Sequence, residues 1–259
     1  MPLVKSRLSP EQLRQGVQPD ARPVAVGETD LRAILRNLTD TATAAAAEVL
    51  APEQLAVGVS GGISVLIHGI RLILEVKHTF VCVRLDMSNG YNACSRSVLL
   101  RRLSENAGLE HMVPPLHALG AEAPDLLIGA RRQRLFGDAA RGDSEEGTGQ
   151  GQPHSSLAFC TCIQPELRAL SQELESFDGG ARAIMDDVYV FGPAAVVFPA
   201  IERFASALQR LTGLQINQDK SACFSRGYNL DVTQLRDQRR GGCLTFGRGC
   251  VPIDDAISS

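Results

Sequence analysis

Apolar positions along the chain follow two periods, one helical and one alternating. LRAILRNLTDTATAAAAEVL (31–50) is Ala-rich with few breakers and predicts a helix. A glycine-rich connection, AVGVSGGIS (56–64), leads into a second helix, where Ile63, Leu66, Ile67, Ile70, Ile73 and Leu74 recur at helical spacing. FVCVRLD (80–86) is a short β-rich run ending in an acid. SRSVLLRRLSENAG (95–108) predicts a helix stopped at Gly108. The glycine-rich, acidic stretch 137–153 reads as a loop opening a third long helix, from about Ser155 to Glu175. AIM (183–185) and VYVF (188–191) predict a hairpin with Asp186 and Asp187 as its two-residue turn. FPAIERFASALQRLTGL (198–214) reads as a helix ending at Gly213, and LQIN (214–217) as a short strand. The first 20 residues are polar, carry Pro2 and Pro10, and predict a ragged end. No internal repeat is visible. The order of strand, helices, hairpin, helix and strand predicts an α+β fold, an antiparallel sheet packed on helices.

Composition narrows this little. With 259 residues, 44% hydrophobic and 21% charged, the chain can bury a real core. A net charge of -3 leaves no broad basic footprint for nucleic acid. Local clusters at Arg101–Arg102 and in ARRQRLF (130–136) read first as solvated faces. Seven cysteines, with Cys160-x-Cys162 but no CxxC pair, suggest neither a zinc site nor a disulfide framework. No leader-like opening and no apolar run of roughly 18 residues is present, so the expectation is an intracellular, reducing location without a membrane span.

The paired aspartates change the picture. Alone, Asp186 and Asp187 would be turn formers at a solvated tip. Two carboxylates fixed together repel, however, and a divalent cation relieves that strain. Asp86 ends an apolar strand, and if that strand lies beside the hairpin, three carboxylates meet at one edge of the sheet. Three such groups can hold two metal ions about 3.5–4 Å apart, an arrangement suited to nucleotidyl transfer. Asp254–Asp255 is a second acidic pair, but it follows Pro252 and lacks a hairpin. The glycines of GVSGG lack the Lys-Ser/Thr of a phosphate loop.

RLDMSNGYN (84–92), GTGQGQPHSS (147–156), AIMDDVYVFG (183–192) and GLQINQDKS (213–221) resemble, in order, the four successive palm motifs of reverse transcriptases. The nearest likeness is to the non-LTR retrotransposon type. RPVAVGETDLRAILR (22–36) is similar to the segment that opens the fingers of those domains. The resemblance covers roughly residues 20 to 225. It implies the fingers and palm of a right-hand polymerase, with a ferredoxin-like antiparallel palm sheet and a thumb absent or truncated. The implied division is a fingers-like segment over 21–79, palm over 80–112 and 147–225, a connection over 113–146, and a truncated primer-grip tail over 226–259.

The resemblance also implies roles. Asp86 and Asp186 would bind two Mg²⁺ ions, for which Mn²⁺ substitutes, with Asp187 beside them and Met87 at the same metal site. Tyr91 would be the steric gate that crowds the 2′-hydroxyl of a ribonucleotide. RNA-templated RNA polymerases carry an aspartate there, so Tyr91 speaks for DNA synthesis. Gln150, Gly151 and Pro153 match a loop that supports the incoming nucleotide, and Lys220 would lie near the leaving pyrophosphate. Arg22, and less directly Arg32, would contact the triphosphate through forked donors. The implied partners are an RNA template, a DNA primer and dNTPs. Departures from the pattern are Ile184 for an aromatic, Gly90 for alanine, Asp30 for an apolar residue, and Gln152 and His154 in the second motif. Only 39 residues follow Lys220, too few for a thumb, and this favours a second expectation: a catalytically inactive remnant or domesticated binding module.

Overall fold

The computed structural model describes residues 28–120, 147–149 and 151–225, residue 14, and short strand segments at 3–4, 21–22, 127–128, 131–132 and 248–252. Helix α1 spans Thr29–Leu50 and α2 Gly62–Val76; strand β1 spans Phe80–Met87. Helices α3 (Arg96–Ser104) and α4 (Val113–Gly120) follow, then the long α5 (Ser155–Glu175). The hairpin is β2 (Gly180–Ile184) and β3 (Asp187–Pro193), continued by α6 (Ala194–Thr212), β4 (Ile216–Ser225) and β5 (Arg248–Pro252).

The strands form one sheet in the order β2-β3-β1-β4-β5. Neighbours among the first four are antiparallel, as the sequence pattern predicts, and β5 adds a parallel edge. Strand β3 lies between β1 and β2, which run the same way with α5 on the path between them. This is the split β-α-β arrangement, and β3-α6-β4 completes it. β1 is thereby central and flanked on both sides.

Alternation along β1 gives the sheet two different faces. Val81, Val83, Leu85 and Met87 enter the main core with Val188 and Val190 of β3. Helix α5 is buried around nearly its whole circumference, with Phe159, Ile163, Leu167 and Leu174 fully enclosed, and is the centre of that core. On α1 the buried stripe is Leu35, Ala42, Ala46 and Leu50, and the helix packs on α5. The opposite sheet face carries a small cluster of Phe80, Cys82 and Phe191 under Leu74 of α2. Of the periodic set predicted for α2, Leu66 and Leu74 are buried, whereas Ile63 (61%) and Ile67 (46%) are exposed.

Other differences are local. Helix α3 ends at Ser104, four residues before Gly108, because Gly108 serves instead at φ 82° in the turn that follows. Helix α6 starts at Ala194, directly after Pro193, since the apolar Ala-Ala-Val-Val run carries helix back to the end of β3. β4 extends eight residues beyond the predicted Asn217, held by its pairing to β1. Arg102 is no part of a solvated face: it is buried and makes two 2.6 Å bonds to Glu166 of α5, while Arg101 remains exposed beside Glu105. Among the described residues, no helix is long and apolar enough to cross a membrane.

Candidate active site

α2 covers only one end of the outer sheet face. Past Cys82 and Phe191 that face turns polar, with Arg84 and Tyr189 paired across β1 and β3. The ladder continues to Leu85↔Val188, and the next residues on the two strands are Asp86 and Asp187. They are cross-strand neighbours at the same end of the sheet. On its other side Asp86 pairs with Asn217, but Arg84 pairs with Ala222, so Gln218–Ser221 bulge out of β4. Ser221 spans the gap: the Asp86 N–H donates to its Oγ (3.1 Å), and its hydroxyl donates to the Asn217 carbonyl (2.7 Å). The Lys220 N–H donates to Asn217 Oδ1 (3.2 Å) and Arg84 Nη2 donates to the Lys220 carbonyl (3.2 Å). Lys220 is therefore presented, exposed, by a pinned bulge alongside the strand end that carries Asp86.

The hairpin turn is displaced by one residue from the sequence expectation. Ile184 pairs with Asp187, so the two loop residues are Met185 and Asp186, and Asp187 opens β3. Met185 takes a left-handed φ of 56°. The turn is bonded to a segment outside the hairpin. The chain after α1 runs along β2, with the Ala183 N–H donating to the Glu53 carbonyl (2.7 Å) and the Leu55 N–H to the Ala183 carbonyl (2.8 Å). Between them the buried Gln54 accepts from the Met185 N–H at Oε1 (2.9 Å) and donates from Nε2 to the Met185 carbonyl (3.1 Å). Gln164 of α5 anchors this segment through the Leu50 carbonyl (3.1 Å) and Glu53 (2.9 Å).

Charge at this end of the sheet is concentrated. Burial pushes the Asp187 carboxyl above its ordinary range, the neighbouring Asp186 and Asp86 charges add to the rise, and Arg84 opposes it. Tyr91 reaches the same place from a single helical turn, Gly90–Ala93. Its ring stacks on Phe159 of α5, with centroids 4.8 Å apart and planes at 27°. Its hydroxyl meets Ser156 Oγ (3.4 Å), which in turn contacts Met185 Sδ (3.8 Å). Burial drives the Tyr91 phenol well above its usual range, so it stays protonated. A Cβ on Gly90 would stand 3.2 Å from the Phe159 ring and 3.6 Å from Asp186 Cβ, so the glycine brings this turn into contact with the aspartate turn.

The glycine-rich loop docks on the Tyr91 turn. The Gly147 N–H donates to the Cys94 carbonyl (2.8 Å) and the Thr148 N–H to the Tyr91 carbonyl (2.7 Å). Gly151, at φ 99°, and Pro153 lie in the turns that open α5. Gln150 lies outside the described residues. His154 closes the loop, buried, and burial lowers its imidazole to about 4.

Asp86, Asp186, Asp187, Tyr91 and Lys220 thus gather at one end of the sheet. Met87 buries its side chain in the core, so any part it plays at a metal falls to its backbone carbonyl. Arg32 is exposed on the first turn of α1. Arg22 belongs to a two-residue ladder with Leu3, its side chain outside the described part. Among the described residues, no group of three or more His, Cys, Asp and Glu side chains is placed so that it could hold a metal ion, so the three carboxylates do not form the joint cluster expected from the sequence. The donor set still suits Mg²⁺, which takes one or two carboxylates and completes its shell from water and substrate phosphates. Gln54 and Ser221 were invisible as site residues in the sequence, where APEQL (51–55) and NQDKS (217–221) carry no pattern that marks either.

No protein family and no curated protein matches the chain. Among solved structures it is similar to Candida tropicalis telomerase in complex with a TWJ fragment of telomeric RNA, at 13% identity and a TM-score of 0.49, over 77% of this chain and 34% of that one. It is also similar to apo Candida tropicalis telomerase (13%, TM-score 0.48, 75% and 37%). Candida albicans telomerase with the TWJ fragment gives 15% identity and a TM-score of 0.45, over 78% and 35%. The chain spans about a third of the length of these proteins.

Proposed function

We propose that this chain is the catalytic part of an RNA-directed DNA polymerase of the non-LTR retroelement type, its fingers and palm. The observation that carries this reading is the convergence of Asp86 and Asp187 on adjacent strands, with Asp186 in the turn between β2 and β3 and Tyr91 packed against that turn. Asp86 and Asp186 would hold two Mg²⁺ ions, with Asp187 beside them. Bound there, the ions would activate a primer 3′-hydroxyl and offset charge on the departing pyrophosphate.

The chain's own residues then have separate tasks. The carboxylates supply oxygen donors from a rigid strand end and a short turn, so little reorganisation accompanies metal and nucleotide entry. The Tyr91 ring, fixed by Phe159 and Ser156, presents an uncharged wall to the sugar and selects deoxynucleotides by crowding a 2′-hydroxyl. Lys220 places a cation on the bulge next to Asp86, suited to the pyrophosphate. Gln150, Gly151 and Pro153 support the nucleotide and template base, and Arg22 and Arg32 serve the triphosphate.

Primer extension on RNA and DNA templates, paired with Mn²⁺ binding followed by electron paramagnetic resonance, tests the reading. Asp86→Asn and Asp186→Asn should each weaken Mn²⁺ binding and reduce extension on the order of 10³-fold, the scale of losing a principal electrostatic stabiliser. Tyr91→Ala should leave Mn²⁺ binding intact and raise ribonucleotide incorporation. Mn²⁺ binding that neither aspartate substitution alters would overturn the assignment.

A further inference from the structure

We propose that Gln54 is the positioning residue of this site, fixing the Met185–Asp186 turn and through it the place of both hairpin aspartates. Met185 is at the tip of a two-residue turn, where the favoured residues are glycine, asparagine and aspartate. A methionine at φ 56° is strained, and its N–H and C=O lie past the last ladder pair of the hairpin. Gln54 answers both needs at once. A carboxamide offers an acceptor and a donor in one plane, as a peptide group does, and here it takes the Met185 N–H at 2.9 Å and its C=O at 3.1 Å. Glu53 and Leu55 bond by their backbones to Ala183 on β2, so the Gln54 side chain carries that pairing onward from the strand into the turn.

The clamp is rigid because its base is buried. Gln54 is 1% exposed, and the segment bearing it is tied to α5 by Gln164 and by Arg168 Nη2, which donates to the Val49 carbonyl at 2.6 Å. Asp186 and Asp187 follow Met185 directly, so a shift of this turn carries their carboxylates relative to Asp86. Misplacement of reacting groups by about 1 Å can cost on the order of 10²-fold in rate. Gln54 bonds to the Met185 backbone. It acts through the turn, and its consequence for metal rests on the polymerase reading given above.

The test compares Gln54→Leu with Gln164→Leu. The second substitution removes bonds to Leu50 and Glu53 in the same buried network but leaves the Met185 contacts in place. Amide hydrogen exchange at Met185, Mn²⁺ affinity and thermal midpoint are measured on each. Gln54→Leu should speed Met185 exchange at least about tenfold and weaken Mn²⁺ binding about tenfold, the scale of two lost hydrogen bonds. Gln164→Leu loosens the base but keeps both Met185 bonds, so it should lower the midpoint comparably and change Met185 exchange and Mn²⁺ binding clearly less than Gln54→Leu does. If Gln54→Leu does not fold, Gln54→Met, of similar length and more adaptable, carries the same expectation. A folded variant with wild-type exchange at Met185 overturns the clamp. Wild-type protein whose Mn²⁺ uptake is absent, or indifferent to Asp86→Asn and Asp186→Asn, overturns the polymerase reading instead, and the exchange rates alone then decide the clamp.

Discussion

Asp187 is held in an unfavourable place by the fold itself. Burial first, then the charges of Asp186 and Asp86, raise its carboxyl above the value of an unfolded chain. A raised acid favours the folded state while protonated, and that contribution is lost as pH rises through its folded value, so at neutral pH its charge destabilises. Asp187→Asn should therefore raise the thermal midpoint at pH 7 by about 1–2 °C, a small shift because the group is half exposed and screened. Calorimetry with and without Mn²⁺ checks this, and a midpoint lowered by the substitution would count against like-charge strain. His154 has the opposite sign. Its imidazole, lowered to about 4 by burial, stays neutral in the fold while an unfolded chain protonates near the ordinary 6.5. Stability is thus complete above about 6.5 and falls as pH drops towards 4. Urea titrations across that window should show a loss of about 2–3 kcal/mol that His154→Phe removes. Asp86, the aspartate pair and Tyr91 were legible in sequence because motif order carries them. Gln54 was not, since its partner Met185 stands 131 residues away and no local pattern marks the contact.

The elements that flank the site are joined by loops packed backbone to backbone. Gly147 combines a φ of 82° with a virtual Cβ only 2.5 Å from the Asn92 backbone, and it supports the turn that carries Tyr91. Gly147→Ala should cost about 2–4 kcal/mol, since strain and steric displacement add. Gly61 offers the control: its φ is 68°, yet nothing lies within 4 Å of its virtual Cβ. Gly61→Ala should cost only about 1 kcal/mol. Chemical denaturation of the two variants measures the difference, and equal costs would refute the close approach at Gly147. Element types were readable from periodicity, and α5 was placed to the residue. The hairpin turn was not, because the choice between Met185–Asp186 and Asp186–Asp187 is settled by Gln54 from another part of the chain. The helical period of α2 was readable too, but not which part of its apolar stripe meets the sheet: Leu66 and Leu74 are buried, and Ile63 and Ile67 are exposed.

Across the whole molecule, the antiparallel sheet on helices follows from the order of strands and helices read in the sequence, and the central place of β1 follows from the split β-α-β connection. The parallel edge strand β5 had no such signal, as its residues carry neither clear alternation nor a turn that would pair them to β4. The same topology governs how the site comes into being. β1 pairs with β3 across about a hundred residues and with β4 across more still, Asp86 meeting Asn217. None of the carboxylate encounters between Asp86 and the hairpin is local, so none can form until long loops have closed. Folding dominated by such distant pairings is slow, and the entropy of closure precedes any reward from the contacts. The hairpin can form early with its two acids apart from the third. Repulsion from the third acid arises only where β3 docks on β1, and there the hydrophobic contacts of Val81, Val83 and Leu85 with Val188 and Val190 oppose it.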